Sequence, residues 1–227
     1  MKTTVIVPAY NEEKTIKEIL NRILASKIEK DIIVVDDCST DKTKKVLKKY
    51  ADENIITLLS HNKNQGKGAA IRTGLSKVNS EIILIQDADL EYDPEDYPKL
   101  IQPILEEKTQ VVYGTRMHSL SNKDMHTVHY FGNKLLTFIT NTLYGSRISD
   151  METCYKVFKS EVIKDMKLRS RRFDFEPEIT AKILKRGYKI HEIPIKFNPR
   201  SFKEGKKITW KDGLKHMFYL IKYRFVD

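Results

Sequence analysis

Short runs of apolar and β-branched residues alternate with amphipathic segments along the first half of the chain. The apolar runs predict strands at residues 3–7, 31–35, 55–59, 81–85 and 110–113. Apolar residues at helical spacing predict helices between them, at residues 12–25, 41–50, 69–78 and 95–105. Because the strands are almost continuously apolar, we expect an α/β fold whose doubly wound, mostly parallel sheet is covered by helices on both faces.

The second half of the chain is less regular. Its periodicity predicts helices at residues 126–144, 176–185 and 210–225, and strands at residues 155–158 and 189–195. No segment rich in Gly, Ser or Pro separates the two halves, so we expect residues 1–227 to form a single domain. Ligands of open α/β sheets bind at the carboxyl ends of the strands, and the residues that follow each strand are therefore candidates for function.

The composition is that of a globular protein with a heavily charged surface, since 40% of the 227 residues are hydrophobic and 32% are charged. The formal net charge of +10 favours an anionic partner: a nucleotide, a phospholipid surface or a nucleic acid. Two cysteines, Cys38 and Cys154, are too few for a disulfide scaffold, and we expect free thiols in the cytoplasm. No stretch of about 18 apolar residues is present, and the first apolar run is too short for a secretory signal, so we expect neither a membrane span nor a leader.

Acidic side chains recur after the predicted strands, and the sharpest pattern is Asp87-x-Asp89. In an extended chain these two carboxylates point the same way, and a hard divalent cation relieves their repulsion. We expect a hard divalent cation there, with Glu91 as a third ligand. An EF-hand is excluded, because Tyr92 and Pro98 stand where that loop needs Gly and Glu.

The loop Gly66-Lys67-Gly68 has two interpretations. It lacks the Ser or Thr that follows the lysine of a P-loop, and Ile71 stands where a dinucleotide fingerprint has its third glycine. What remains is a basic turn that enters a helix, and it either approaches a nucleotide or only turns the chain. The histidines show no metalloprotease spacing, and the chain has no GxSxG nucleophile elbow.

Eight segments together resemble the family 2 glycosyltransferases, which have the GT-A fold, and among them the polyprenyl-phosphate sugar synthases. The resemblance covers nearly the whole chain, and the combination is highly specific. The segments are VPAYNEE (7–13), VVDDCSTD (34–41), NQGKGAAIRTG (64–74), QDADLEYDP (86–94), YGTRM (113–117), SDMETCYKVF (149–158), FDFEPEI (173–179) and PRSFKEGKKITWKDG (199–213). The resemblance implies metal-dependent, inverting transfer of a hexose from a nucleotide-sugar, of the GDP-mannose or UDP-glucose type, to a polyprenyl phosphate. Residues 1–116 would then bind the nucleotide-sugar and residues 117–227 the acceptor.

The same resemblance assigns roles to residues at matching positions. Asp87 and Asp89 would hold Mg²⁺ or Mn²⁺ on the donor diphosphate, together with Glu91. The nucleotide-sugar pocket would be formed by Pro8, Tyr10, Glu12, Asp36, Asp37, Lys67, Asp87 and Ala88, with Asp36 or Asp37 on the base or ribose. The catalytic group would comprise Asp89, Arg116, Asp150, Arg200, Lys206 and Lys207, of which the basic residues bind the phosphates of donor and acceptor.

The acceptor stays open between two chemistries. A phosphate monoester is largely dianionic at neutral pH and already nucleophilic, whereas a sugar hydroxyl needs a general base, for which Asp150 and then Glu152 are candidates. A nucleotidyltransferase is an alternative of another class, because it also uses a carboxylate pair and a basic loop. A nucleic-acid-binding module is disfavoured, since the basic residues are spread among acids and no RNA-binding aromatic motif is present.

The C-terminal segment combines basic residues with an apolar stripe. Between residues 196 and 224, nine residues are Lys or Arg, and two, Glu204 and Asp212, are acidic. The stripe at helical spacing consists of Trp210, Leu214, Met217, Phe218, Ile221 and Phe225. Such a helix either packs into a core or lies at a membrane interface, and the predicted helix at 126–144, which is uncharged from residue 135, is a candidate neighbour. Because a polyprenyl phosphate stays in the bilayer, we expect peripheral binding to an anionic membrane surface on its cytosolic face.

Overall fold

The computed structural model describes residues 1–117, 127–200 and 210–226, and the strands in these ranges form one seven-stranded sheet. The strands are β1 (Thr3–Ala9), β2 (Lys30–Asp36), β3 (Thr57–Ser60), β4 (Ile82–Ile85), β5 (Val111–Thr115), β6 (Lys156–Lys159) and β7 (Ile190–Pro194). Their order across the sheet is β3-β2-β1-β4-β6-β5-β7. Strand β6 runs antiparallel to β4 and β5, whereas the other neighbouring strands are parallel. The expected mostly parallel sheet is confirmed.

Helices connect most of these strands. They are α1 (Ile16–Ala25), α2 (Thr43–Asp52), α3 (Lys67–Leu75), α4 (Tyr97–Leu105), α5 (Thr127–Tyr144), α6 (Ser160–Ile163), α7 (Phe175–Lys185) and α8 (Trp210–Phe225), and a 3₁₀ turn (Pro94–Asp96) precedes α4. Every strand and helix expected from the periodicity is present, although the ends of several differ by a few residues. Helix α6 and the 3₁₀ turn were not expected, because elements this short show no measurable periodicity.

Helix α1 begins at Ile16, four residues after the predicted start at residue 12. The residues before it are instead bound to the loop after β2 and to the first residue of α2. The backbone N–H of Asn11 donates to Ser39 Oγ at 3.0 Å, and that of Glu12 donates to Thr43 Oγ1 at 2.9 Å. Asn11 also has a φ of 53°, which a helix does not allow. The chain therefore turns here and leaves Glu12 at the edge of the sheet.

The registers of the central strands determine where the candidate residues meet. Residues Val5 and Val7 of β1 are fully buried, as expected for a strand covered on both faces. Ala9 of β1 pairs with Asp36 of β2, and Ile6 of β1 pairs with Ile85 of β4. Because these pairings are parallel, the carboxyl ends of β1, β2 and β4 lie at one edge of the sheet.

Helices α5, α7 and α8 pack against one another. Between α5 and α8 lies a small apolar cluster formed by Leu136, Ile148, Met151 and Leu220. The Tyr144 hydroxyl of α5 donates to the carbonyl of Leu220 in α8 at 2.6 Å. Within the described ranges, no helix combines the length and the apolar character needed to cross a membrane.

Candidate active site

A cavity of about 290 Å³ opens at the carboxyl edge of the sheet. Ten of its lining residues are ones that the sequence marks as functional: Pro8, Tyr10, Glu12, Asp37, Lys67, Asp87, Ala88, Asp89, Glu91 and Arg200. The others are Ala9, Asn64, Gly66, Ala70, Arg172 and Phe173. The fold thus gathers residues from the loops after β1, β2 and β4 around one space.

Arg200 contacts three carboxylates of this cavity. Its Nη2 lies 2.5 Å from Asp89 Oδ2, and its Nη1 lies 3.2 Å from Glu12 Oε2. Its backbone N–H donates to Glu91 Oε1 at 2.9 Å. Burial raises the pKa of Asp89 to about 7, and the negative charges of Asp87 and Glu91 act in the same direction. The site therefore holds more negative charge than the guanidinium offsets.

Asp87 is paired with a different cation, Lys67 at the start of α3. The Nζ of Lys67 lies 2.8 Å from Asp87 Oδ1 and 2.9 Å from Glu176 Oε1 at the start of α7. Burial acts to raise the pKa of Asp87, but the charge and hydrogen bond of Lys67, together with Cys154 and Arg200, outweigh it and hold that pKa below its ordinary value. Lys67 is therefore shared between a cavity carboxylate and a buried carboxylate from another helix.

The carboxylates expected to bind a metal lie in one cavity but have different partners. Asp87 is bound to Lys67, whereas Asp89 and Glu91 are bound to Arg200. Among the described residues, no three side chains of His, Cys, Asp or Glu are arranged as a preformed metal centre. The three carboxylates therefore lie in the cavity, as expected for metal ligands, but their oxygen atoms are not arranged around a common point.

Gly66 allows the loop before α3 to lie close to the segment before α7. Its φ of 94° and ψ of 164° belong to a region that is essentially restricted to glycine. A Cβ at this position would lie inside contact distance of the Arg171 carbonyl oxygen. The backbone N–H groups of Gly68 and Ala69 donate to the carbonyls of Arg172 and Arg171, at 3.1 and 3.0 Å. These amides are already hydrogen-bonded within the protein and are not available to a ligand. The loop therefore contributes the side chain of Lys67 to the cavity, and not its backbone N–H groups.

Asp37 holds the same loop from the other side. Its Oδ1 accepts from the N–H of Gln65 at 2.8 Å, and its Oδ2 accepts from the N–H of Gly66 at 2.7 Å. Asp36 is fully buried, accepts from the N–H of Ser39 at 3.2 Å and does not line the cavity. Of the two aspartates predicted to contact the nucleoside, the structure therefore places only Asp37 at the cavity wall.

Arg116 and Asp150 do not line the cavity and are paired with each other. Asp150 is fully buried and also accepts from Asn133 Nδ2 at 2.7 Å. Burial acts to raise the pKa of Asp150, but Arg116 outweighs it and holds that pKa below its ordinary value. Asp150 is therefore not placed to take a proton from an acceptor hydroxyl. Glu152, the second candidate base, lies 2.9 Å from Nδ1 of His216.

Three side chains at the site come from a segment to which the sequence analysis assigned no role. Arg172 and Phe173 line the cavity, and Glu176 binds Lys67. The available signal was the segment FDFEPEI, in which acidic residues stand in the first turn of a helix. Two expected phosphate ligands, Lys206 and Lys207, lie outside the described residues.

Comparison with known proteins identifies the family of this chain. Residues 4–167 match the model of the family described as Glycosyl transferase family 2. The UDP-N-acetylglucosamine--dolichyl-phosphate N-acetylglucosaminyltransferase of Methanococcus voltae is 33% identical, over 84% of this chain and 83% of that protein. The dolichyl-phosphate beta-glucosyltransferase of Trichomonas vaginalis is 32% identical, over 86% of this chain and 65% of that protein.

A solved structure shares the fold. Glucosyl-3-phosphoglycerate synthase from Mycobacterium tuberculosis, in complex with Mn²⁺, UDP and phosphoglyceric acid, superimposes with a TM-score of 0.74 at 19% identity. The match covers 100% of this chain and 79% of that chain, and it confirms the expected GT-A fold. On the family match and the shared fold, this protein is a glycosyltransferase and belongs to glycosyl transferase family 2.

Proposed function

We propose that the enzyme transfers a hexose from a nucleotide-sugar to a polyprenyl phosphate, with a divalent cation and with inversion at the anomeric carbon. The observation that carries the proposal is the cavity in which Asp87, Asp89 and Glu91 lie beside two cations, Lys67 and Arg200. Two relatives that match most of this chain are named for transfer to dolichyl phosphate, which supports the choice of acceptor.

The charges in the cavity suit a nucleoside diphosphate-sugar. A diphosphate is anionic and rich in oxygen, and guanidinium and ammonium groups bind it through charge-assisted hydrogen bonds. Lys67, Arg172 and Arg200 provide such groups on the cavity wall. Pro8, near the end of β1, and Tyr10, just after it, provide partly apolar side chains against which the base can pack.

The residues present also fit a divalent cation. Asp87, Asp89 and Glu91 offer the hard oxygen ligands that Mg²⁺ and Mn²⁺ prefer. The raised pKa of Asp89 shows that burial and neighbouring carboxylates make the negative charge costly there, which a bound cation would relieve. When bound, the cation supplies positive charge where the leaving diphosphate becomes more negative. The glucosyl-3-phosphoglycerate synthase structure described above contains both UDP and Mn²⁺.

The reaction exchanges one bond at the anomeric carbon for another. The bond from this carbon to the β-phosphate oxygen breaks, an oxygen of the acceptor phosphate bonds to the opposite face, and a nucleoside diphosphate leaves. Lys67 and Arg200 hold fixed positive charge beside the departing oxygen. Because the acceptor phosphate is already ionised at neutral pH, no side chain has to accept a proton.

Transfer to a sugar hydroxyl is less favoured, because that acceptor requires a general base. The expected base, Asp150, is buried, bound by Arg116 and Asn133, and has a pKa below its ordinary value. Assignment to a glycosyltransferase family removes the nucleotidyltransferase alternative.

The test is a reaction of the purified enzyme with GDP-mannose, UDP-glucose or UDP-N-acetylglucosamine, with Mg²⁺ or Mn²⁺ and a short-chain polyprenyl phosphate. We expect one donor to yield a lipid-linked sugar and an equal amount of nucleoside diphosphate, and we expect EDTA to stop the reaction. Removing a carboxylate by Asp89→Asn is expected to lower the rate by about 100-fold or more, the range seen when a transition-state contact is lost.

A matched pair of variants controls for the loss of charge alone. Glu91→Gln changes a cavity carboxylate, whereas Glu95→Gln changes a largely exposed one that follows it in the chain. We expect a reduced rate in the first and a normal rate in the second. Transfer to glycan hydroxyls with none to polyprenyl phosphate would overturn the acceptor, and full activity after metal removal would overturn the cofactor.

A further inference from the structure

Helix α5 presents an apolar stripe on its outer side. Phe131, Leu135 and Phe138 are spaced by four and three residues, so they share one face of the helix. Their exposed fractions lie between 57% and 67%. On the opposite face, Asn133 and Leu136 are buried against the protein. Large apolar side chains grouped on one exposed face mark an interaction surface.

Helix α8 repeats this arrangement. Its exposed apolar residues are Leu214, Phe218, Ile221 and Phe225, with exposed fractions between 45% and 80%. They also follow helical spacing and share one face, while Leu220 on the other face is fully buried. The sequence left open whether this stripe is part of a core, and the structure shows most of it on the surface.

The two stripes belong to one layer, because α5 and α8 pack against each other and bury their opposite faces. We name the outer surface of this layer the α5–α8 face. It consists of Phe131, Leu135, Phe138, Leu214, Phe218, Ile221 and Phe225. Four of the seven are phenylalanine, a side chain that inserts readily at the boundary between lipid headgroups and acyl chains.

Basic side chains accompany the apolar residues of this face. Lys134 lies on α5, and Lys215, Lys222 and Arg224 lie on α8, all exposed. In sequence, the two helices carry five Lys or Arg residues against one acidic residue, Asp212. A second copy of the chain would bring like charges together, so self-association through this face is disfavoured. An anionic lipid surface complements both the apolar residues and the positive charge.

The layer is also attached to the functional edge of the sheet. Asn133 of α5 binds Asp150, which in turn binds Arg116 at the end of β5. His216 of α8 binds Glu152 in the same segment. Helix α8 also begins ten residues after Arg200, which lies in the cavity.

We propose that the α5–α8 face docks this enzyme on an anionic bilayer, with the apolar residues inserted among the headgroups and the basic residues on anionic lipids. The inference rests on the proposed function, because a polyprenyl phosphate acceptor stays within a bilayer. Docking through these helices holds the enzyme at the surface from which such an acceptor must be reached.

The experiment measures co-sedimentation of the full chain with vesicles that contain no polyprenyl phosphate. Phosphatidylcholine vesicles are compared with vesicles that also contain phosphatidylglycerol. We expect binding to the anionic vesicles at low salt and a loss of at least about tenfold in affinity near 0.5 M salt, where charges are screened over a few ångströms. Because neither donor nor acceptor is present, a failure of the proposed function leaves this result unaffected.

Two variants test the face itself. Phe131→Ser with Phe218→Ser removes apolar insertion, and Lys215→Glu with Lys222→Glu reverses charge. Lys44→Glu with Lys48→Glu makes the same charge change on exposed positions of α2 and is the matched control. We expect the first two to lose binding by at least about tenfold and the control to bind nearly as the wild type does. Circular dichroism melting verifies that each variant is folded.

Three outcomes would overturn the proposal. The first is a folded wild type that stays in the supernatant at low salt. The second is an equal loss of binding in the α2 control, which would show attraction by net charge alone. The third is a dimer in light scattering that dissociates in the Phe131→Ser, Phe218→Ser variant, because the face would then bind a second copy of the chain.

Discussion

Arg116 and Asp150 are joined at two points, with Nε 2.7 Å from Oδ2 and Nη2 2.7 Å from Oδ1. The backbone N–H of Arg116 also donates to Oδ2, at 3.0 Å. Because Arg116 follows β5 and Asp150 lies in the loop after α5, the pair ties that helix to the sheet. The sequence predicts a catalytic role for both residues, and in this structure they also connect two elements of the fold.

Asp150→Asn is therefore expected to destabilise the fold. The exchange leaves a largely buried guanidinium without its counter-charge, which typically costs about 3–5 kcal/mol. The expected result is a clearly lower melting temperature at pH 7. Asp165→Asn, an exposed position, serves as the matched control. A variant that melts like the wild type and yet loses turnover would instead indicate a catalytic role for Asp150.

The effect of Asp150→Asn is also expected to depend on pH. The pKa of Asp150 is lower in the folded protein than in the unfolded chain, so the ionised carboxylate stabilises the fold above the unfolded pKa of about 4. That contribution is lost as the pH falls through the folded pKa. Urea unfolding should therefore show the full difference between variant and wild type at pH 7 and a shrinking difference below about pH 4. A constant difference would contradict this account.

Arg200→Ala is expected to reduce transfer but to strengthen binding of a divalent cation. Removing a phosphate-binding guanidinium should cost about 2 kcal/mol or more at the transition state, roughly 30-fold in rate. In the absence of the donor, however, Arg200 forms ion pairs with Asp89 and Glu12. Its removal makes their negative charge available, so Mn²⁺ titration followed by paramagnetic resonance should show tighter binding.

The control for that experiment is Arg22→Ala, which removes an exposed arginine paired with Glu18 on α1. Both rate and Mn²⁺ affinity should then stay at the wild-type values. Weaker Mn²⁺ binding in Arg200→Ala would show that the cation does not compete with this guanidinium for the carboxylates.

Glu176→Gln is expected to have the opposite effect on the cation. Lys67 is shared between Asp87 and Glu176, and neutralising Glu176 leaves its charge acting more strongly on Asp87. We expect Mn²⁺ binding to weaken by roughly tenfold, or about 1.4 kcal/mol, with little change in melting temperature. The exposed Glu161→Gln is the matched control. Unchanged Mn²⁺ affinity would limit Glu176 to a structural role.

Gly66→Ala is expected to cost more stability than Gly187→Ala. Both glycines have positive φ, 94° and 81°, so both substitutions strain the backbone by about 1–3 kcal/mol. A Cβ at Gly187 meets open space, whereas one at Gly66 collides with the Arg171 carbonyl. In urea unfolding, the free energy of unfolding of Gly66→Ala should therefore be lower than that of Gly187→Ala by a further ~1–3 kcal/mol, the usual cost of overpacking. Equal losses would show that the loop before α3 relaxes without cost.

Local patterns in the chain were sufficient to predict the strands, the helices and the cavity residues that lie at the strand ends. The apolar runs predicted every strand of the sheet, because strand and helix periods depend on which neighbouring residues are buried. The clustering of Pro8, Asp37, Asp87 and Asp89 also followed, since parallel strands bring their carboxyl ends to the same edge. The family 2 resemblance rested on these same segments, and the family match confirms it.

Only the tertiary structure decided which charged groups face one another. Arg200 meets Asp89, and Lys67 meets Glu176, across more than a hundred residues of chain, a separation at which no local period carries information. Asp150 and Asp89 are both buried beside a guanidinium. The charge and hydrogen bonds of Arg116, with that of Asn133, hold the pKa of Asp150 below its ordinary value, whereas burial and the neighbouring carboxylates Asp87 and Glu91 raise that of Asp89. By itself, therefore, the sequence determined the sheet, the family and the acidic edge, and packing determined which carboxylates remain at the cavity for chemistry and which hold the fold together.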